Sequence, residues 1–159
     1  MPKFEVETVV PASVGQVFDS CLDMEVHTDS MADSGERILG DDPAVQLKAG
    51  DSITFEARHF GMNWRLTARV TEFEFPYRFV DEQLKGPFGY WRHEHVFVPD
   101  GPSRTVMTDV VSFASPFGVL GAVVDRLVLR RYMERLIRGR ADHLAVVAPH
   151  RPPSTGSAW

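Results

Sequence analysis

Hydrophobic and polar residues alternate along most of the chain up to about residue 113, the signature of strands with one face buried. Lys3 to Val10 (KFEVETVV) is one such run. Asp51 to Phe60 sets Ile53, Phe55, Ala57 and His59 against Thr54, Glu56 and Arg58. After a turn at Gly61, Trp64, Leu66, Ala68 and Val70 face away from Asn63, Arg65, Thr67 and Arg69. The phase then slips, because Phe73 and Phe75 are apolar where Glu72 and Glu74 fall on the expected face. A bulge near Thr71 accounts for that slip. Tyr77 to Lys85 follows Pro76 as the next strand, with Phe79, Asp81 and Gln83 on one face. In Tyr90 to Val98, Trp91, His93, His95 and Phe97 share a face opposite Tyr90, Arg92, Glu94, Val96 and Val98. Pro99-Asp100-Gly101-Pro102 is turn chemistry, so Thr105 to Phe113 doubles back on that strand. A loop at Pro99 to Ser103 pairs Phe97 with Thr105, His95 with Met107 and His93 with Asp109. The turn Gly86 to Gly89 sets Asp81 and Gln83 beside His93 and Trp91.

Helical spacing appears twice. Ser13 is an N-cap for a short helix carrying Val14, Val17, Phe18, Cys21 and Leu22. Asp23 to Asp33 adds a further turn or two, and Ser34 to Leu39 a short strand. From Pro116 onward, Leu120, Val123, Val124 and Leu127 form one apolar stripe, and Met133, Leu136, Ile137, Leu144 and Val147 form another. At about 100° per residue these stripes lie roughly half a turn apart, so either the helix breaks or bends near Val128 to Arg131 or its first part is buried by a different partner; a short helix running into a long one is the favoured reading. Pro149 to Trp159 (PHRPPSTGSAW) lacks periodicity and reads as a flexible tail after a single domain over residues 1–148. One strand, helical segments, about six antiparallel strands and a long C-terminal helix give an α+β fold. Its expected form is a curved antiparallel sheet wrapped around that helix.

Composition narrows the function. The chain has 159 residues, 43% hydrophobic and 25% charged, enough to bury one core. A net charge of -5 argues against a nucleic-acid partner. A single cysteine, Cys21, excludes an internal disulfide and reads as a small apolar residue on its helix. There is no charged-then-apolar leader pattern and no apolar run of ~18 residues, so a soluble, cytoplasmic protein without membrane insertion is expected. The arginines 126, 130, 131, 135, 138 and 140 read as a solvated helix face or as partners for the acidic sheet and, less simply, as a site for lipid headgroups.

The chemistry concentrates on one sheet face. Two imidazoles and two acids among aromatics point to a partly polar cavity, with Asp81, Gln83, His93, His95 and Asp109 as its polar candidates. Trp64, Phe79, Trp91, Phe97, Met107 and Leu120 are its apolar candidates, each also at home in a core, and Phe117 stands at its mouth. His93 and His95 are about 7 Å apart at Cα. With Asp81 or Asp109 they form a possible metal set, but a metal requires at least three convergent ligands and supporting partners. No metal or cofactor is expected. His93 oriented by Asp109 or Asp81 also suits general acid–base work. The same groups can simply satisfy one another across strands, as buried polar groups must, or orient a ligand without chemistry.

The segments GPFGYWRHEHVF and TVMTDVVSFASPFGVLG, followed by a long Arg-rich helix, resemble the SRPBCC or START-like superfamily of helix-grip proteins. Within it the chain is most similar to the polyketide cyclase/dehydrase-type branch of stand-alone bacterial proteins, over about residues 3 to 148. The resemblance implies a cavity between sheet and C-terminal helix that holds a small hydrophobic molecule, lipid-, sterol- or polyketide-like. It carries over no catalytic residues. A binding protein is therefore the first expectation, and a cyclase, aromatase or dehydratase using His93 with Asp109 or Asp81 the second. Monomer and homodimer are both open.

Overall fold

A computed structural model describes residues 1–40 and 46–152; the side chains of residues 119 and 120 lie outside the description. The first strand, β1 (Lys3–Val10), buries Phe4, Val6 and Val10. It leads into α1 (Val14–Leu22), where Ser13 and Gln16 form a reciprocal capping box. Asp23 caps the next helix, α2 (Met24–Ser30), accepting from the backbone N–H groups of Glu25 and Val26 at 2.9 and 3.0 Å. A short strand, β2 (Arg37–Leu39), precedes a meander of β3 (Ser52–His59), β4 (Met62–Glu74), β5 (Arg78–Lys85), β6 (Tyr90–Pro99) and β7 (Thr105–Ala114). The chain ends in α3 (Gly118–Val124), a π-helical turn over Asp125–Leu129, and α4 (Arg130–Val147).

The strands form one antiparallel seven-stranded sheet in the order β1-β7-β6-β5-β4-β3-β2, curled around α4. Along β6 and β7 every second residue is buried, so the alternation in the sequence reports the concave face directly. Thr71 is the extra residue between the pairs Val70↔Asp81 and Glu72↔Val80, which is the bulge that the phase slip required.

The β6–β7 register differs from the one expected. Pro99 pairs with Thr105, so the loop is Asp100 to Arg104, closed by a 2.8 Å bond from Asp100 N–H to Arg104 C=O and by a carboxylate–guanidinium contact between the same residues. Every partner moves by two residues: His95 faces Asp109, Phe97 faces Met107, and His93 faces Val111. A slip of two keeps each side chain on its own face, so the face assignment survives while the pairings change. Asp81 does pair with His93, as expected.

The helical break also lies slightly earlier than expected. The π turn adds a residue per turn and rotates the apolar face of the first segment away from that of the second. Asp125, buried within it, accepts from Ser115 N–H at 2.8 Å and from the Ser115 hydroxyl. Val123, Val124 and Leu127 of the first stripe remain about half exposed or more, whereas Ile137 and Leu144 of the second are buried with Ala141.

Phe18 is the centre of the small-helix end of the core. It meets Phe73, Phe75, Phe79 and Phe97 edge-to-face with centroids 5.2–5.4 Å apart. Cys21 lies 3.6 Å from the Met107 sulfur, and burial pushes its thiol far up, which leaves it inert. Residues 153–159 of the expected tail lie outside the described residues. Arg151, just before them, contacts the Asp23 carboxylate, and its carbonyl accepts from Gln16 at 2.9 Å.

Candidate functional site

Because α4 packs against β1 and α2 while the sheet curls away over β3 to β6, the concave face is not filled. A cavity of about 650 Å³ occupies the gap. Its walls are mostly apolar: Ile53, Phe55 and Ala57 from β3, Trp64, Leu66, Ala68 and Val70 from β4, Phe79, Trp91, and Met133, Leu136 and Ile137 from α4. At one edge the ring of Tyr132 stands over Phe60, and its hydroxyl is 2.6 Å from His59 Nδ1. Pro116, Phe117 and Gly121 also line the cavity, with Phe117 largely exposed.

Six of the residues expected in the site line this cavity: Trp64, Phe79, Asp81, Trp91, His93 and Phe117. Five others do not. Phe97 and Met107 sit beneath α1, against Phe18 and Cys21, which covers that end of the sheet. His95 and Asp109 lie behind His93, away from the cavity surface. Gln83 is tied to the Gly86–Gly89 turn, donating to Phe88 C=O at 2.7 Å and accepting from Phe88 N–H. Leu120 falls on a side chain outside the described residues.

The polar cluster spans three strands. His93 donates from Nε2 to Asp109 Oδ1 at 2.9 Å, and His95 donates from Nε2 to Asp81 Oδ2 at 3.1 Å. His95 Nδ1 also lies 2.8 Å from Asp109 Oδ1, but off the line of a well-aligned hydrogen bond. His93 Nδ1 is 3.8 Å from Asp81 Oδ2. The two rings are stacked with a 38° tilt, centroids 3.9 Å apart, and His95 lies flat on Phe79 at 4.1 Å. Burial pulls His95 down, yet the carboxylates of Asp109 and Asp81 outweigh it and hold the imidazole above its ordinary pKa. Burial, joined by the charge on His95, holds His93 below its own. Burial would raise Asp81, but the His95 hydrogen bond and the neighbouring positive charges bring it to about 2. Asp109 moves the same way, to well below the carboxylate range, through its two imidazoles. The charged form is thus favoured at His95, between two carboxylates, and the neutral form at His93, which reaches the cavity.

Residues outside the expected set complete the wall. His27 stacks on Phe55 with centroids 4.5 Å apart, and its Nε2 is 2.7 Å from Glu36 Oε1. Arg140, read from sequence as part of a solvated face or a partner for the acidic sheet, lines the cavity, where its charge reaches Asp81. Its contact in hydrogen-bond range is a long one, 3.4 Å to Cys21 C=O, and among the described residues it pairs with no carboxylate. A signal for this was available. Arg140 lies three residues beyond Ile137 and four before Leu144, on the buried stripe rather than opposite it.

A curled sheet gripping a C-terminal helix over a mostly apolar cavity is the helix-grip architecture. The model of one family, polyketide cyclase / dehydrase and lipid transport, matches residues 1–148, and the chain belongs to that family. A search of curated protein sequences finds no match. Among solved structures, the chain is similar to the Zhui aromatase/cyclase from Streptomyces sp. R1128, with 17% identity, 99% of each chain covered and a TM-score of 0.76. It is also similar to a START superfamily protein from Mycobacterium smegmatis, with 15% identity, 89% of this chain and 98% of that one covered, and a TM-score of 0.63. Norcoclaurine synthase from Thalictrum flavum, solved with dopamine and hydroxybenzaldehyde, shares 13% identity over 95% of this chain and 88% of its own, with a TM-score of 0.64. At these identities the likeness concerns the fold. Among the described residues no helix is long and apolar enough to cross a membrane.

Proposed function

We propose that this protein binds a small hydrophobic molecule, lipid-, sterol- or polyketide-like, in the cavity between sheet and α4, with an oxygen-bearing end turned toward Arg140 and His93. The observation that carries this reading is Arg140: a guanidinium on a mostly apolar cavity wall, with one long hydrogen-bond contact, no carboxylate in direct contact among the described residues, and Asp81 feeling its charge only from farther off. Placing such a charge there has a desolvation cost, and a ligand oxyanion would offset it. The apolar lining and the family's ligand-binding character support the rest. Membership in a soluble, cytoplasmic carrier class, as monomer or homodimer, goes with this reading.

Native mass spectrometry of the purified protein tests it. The expected spectrum carries an apolar adduct of lipid or polyketide mass. Ala68→Phe, which puts a ring into the cavity from a position at its wall, should abolish the adduct while leaving the fold intact. An adduct unaffected by that substitution would place the ligand elsewhere and end the proposal.

A second reading is cyclase, aromatase or dehydratase chemistry. It rests on His93, which reaches the cavity, is held below its ordinary pKa by burial, and is oriented by Asp109 behind it. Likeness in fold to an aromatase/cyclase supports it. With a candidate polyketide substrate, His93→Gln would then abolish turnover while binding persists; a carrier shows no turnover to lose.

A further inference from the structure

We propose that Asp81, His93 and His95 form a binding site for one divalent transition-metal ion of the zinc–cobalt class, with Asp109 as the positioning carboxylate behind it. The inference is independent of the ligand reading and stands on the hydrogen-bond geometry of the cluster.

Mutual hydrogen bonding accounts for only part of this cluster. Two of its four ring nitrogens are left over: His95 Nδ1 is misaligned with Asp109, and His93 Nδ1 is 3.8 Å from Asp81, beyond hydrogen-bond reach. The pattern becomes regular when the two sides of the rings are considered separately. Asp109 Oδ1 faces one nitrogen of each ring, His93 Nε2 at 2.9 Å and His95 Nδ1 at 2.8 Å. The opposite nitrogens, His93 Nδ1 and His95 Nε2, both face Asp81 Oδ2, at 3.8 and 3.1 Å. One ligand atom from each of Asp81, His93 and His95 can be chosen so that all three lie within 4.8 Å.

These dimensions suit a metal. Bonds of about 2.0–2.2 Å to nitrogen and oxygen place tetrahedral ligands ~3.3 Å apart, between the two observed separations. A carboxylate behind metal-ligating imidazoles fixes their tautomers and orientation; Asp109 holds His93 by a hydrogen bond and lies 2.8 Å from His95 Nδ1, where a small ring rotation would align the second. Two carboxylates in a buried cluster match the charge of a divalent ion. Two imidazoles and one carboxylate favour zinc, cobalt or nickel over calcium or magnesium, which prefer all-oxygen sites. Asp81 and His93 are at the cavity surface, so the remaining coordination position of such an ion faces whatever the cavity holds.

The test uses the full chain, stripped with chelator, and the metal alone as probe. Calorimetric titration with Zn²⁺ should show one ion per chain with micromolar or tighter affinity, and Co²⁺ should develop the visible absorption of a low-coordinate site. Asp81→Asn should weaken binding at least tenfold, and Asp109→Asn roughly 10- to 100-fold through loss of ring positioning. His143→Gln and His150→Gln should leave it unchanged. A measurement on the unsubstituted protein guards against variants that fail to fold: of six histidines, His93 and His95 should be the ones whose ring NMR signals shift with Zn²⁺. Affinity weaker than millimolar, signals moving instead at other histidines, or binding indifferent to Asp81→Asn would each overturn the assignment.

Discussion

Replacing Arg140 by methionine isolates the interaction on which the ligand reading depends. Methionine keeps most of the aliphatic stem and removes the guanidinium, whose only contact in the protein within hydrogen-bond range among the described residues is 3.4 Å to Cys21 C=O. The folded protein therefore loses little, and its melting temperature should move by no more than a few degrees. A bound ligand loses a charge-assisted hydrogen bond worth about 1.5–3 kcal/mol. At 1.4 kcal/mol per decade, affinity for an anionic ligand should fall roughly 10- to 150-fold. The assay is a fluorescence titration with parinaric acid, a polyene fatty acid, and in parallel with its methyl ester. The acid should bind the unsubstituted protein more tightly than the ester, and Arg140→Met should erase that preference while leaving the ester's affinity in place. Equal losses for acid and ester would show that the substitution damages the cavity as a whole. No loss for either would show that Arg140 does not meet the ligand's polar end, and the reasoning from its unused donors would fail.

Two further outcomes follow from the packing and the buried charges. Phe18→Ala removes a fully buried ring at the meeting point of four aromatics and should cost about 3–5 kcal/mol. In a circular-dichroism melt this is a fall of roughly 6–20 °C for a domain of this size; a loss below about 1 kcal/mol would contradict the packing described. Burial, with help from Arg140, holds His27 below its ordinary pKa, so the native state favours the neutral imidazole more than the unfolded chain does. Its contribution is complete above the unfolded value of about 6.5 and is lost as pH falls from there toward the lower folded value. The melting temperature of the unsubstituted protein should therefore drop more steeply between neutral and mildly acid pH than that of His27→Gln, and parallel curves would refute the assignment.

The residues differ in how far the sequence alone determined their place. Trp91, His93, His95 and Phe97 alternate with charged neighbours, and that period of two assigned them to the concave face without knowledge of any partner strand. The Thr71 bulge was legible for the same reason: it interrupts a local phase. Partners within the face were not legible. The loop could close at Ser103 or Arg104 with equal turn chemistry, and only the closed hairpin put His95, not His93, opposite Asp109. Likewise nothing local distinguishes a concave residue that α1 covers, such as Phe97, from one that α4 leaves exposed to the cavity, such as Trp91. Arg140 shows the limit most clearly, since its charge favoured solvent while its helical position pointed inward. Covalent geometry sets the direction of a side chain from its neighbours in sequence; what that side chain meets depends on elements dozens of residues away, whose approach only the folded chain decides.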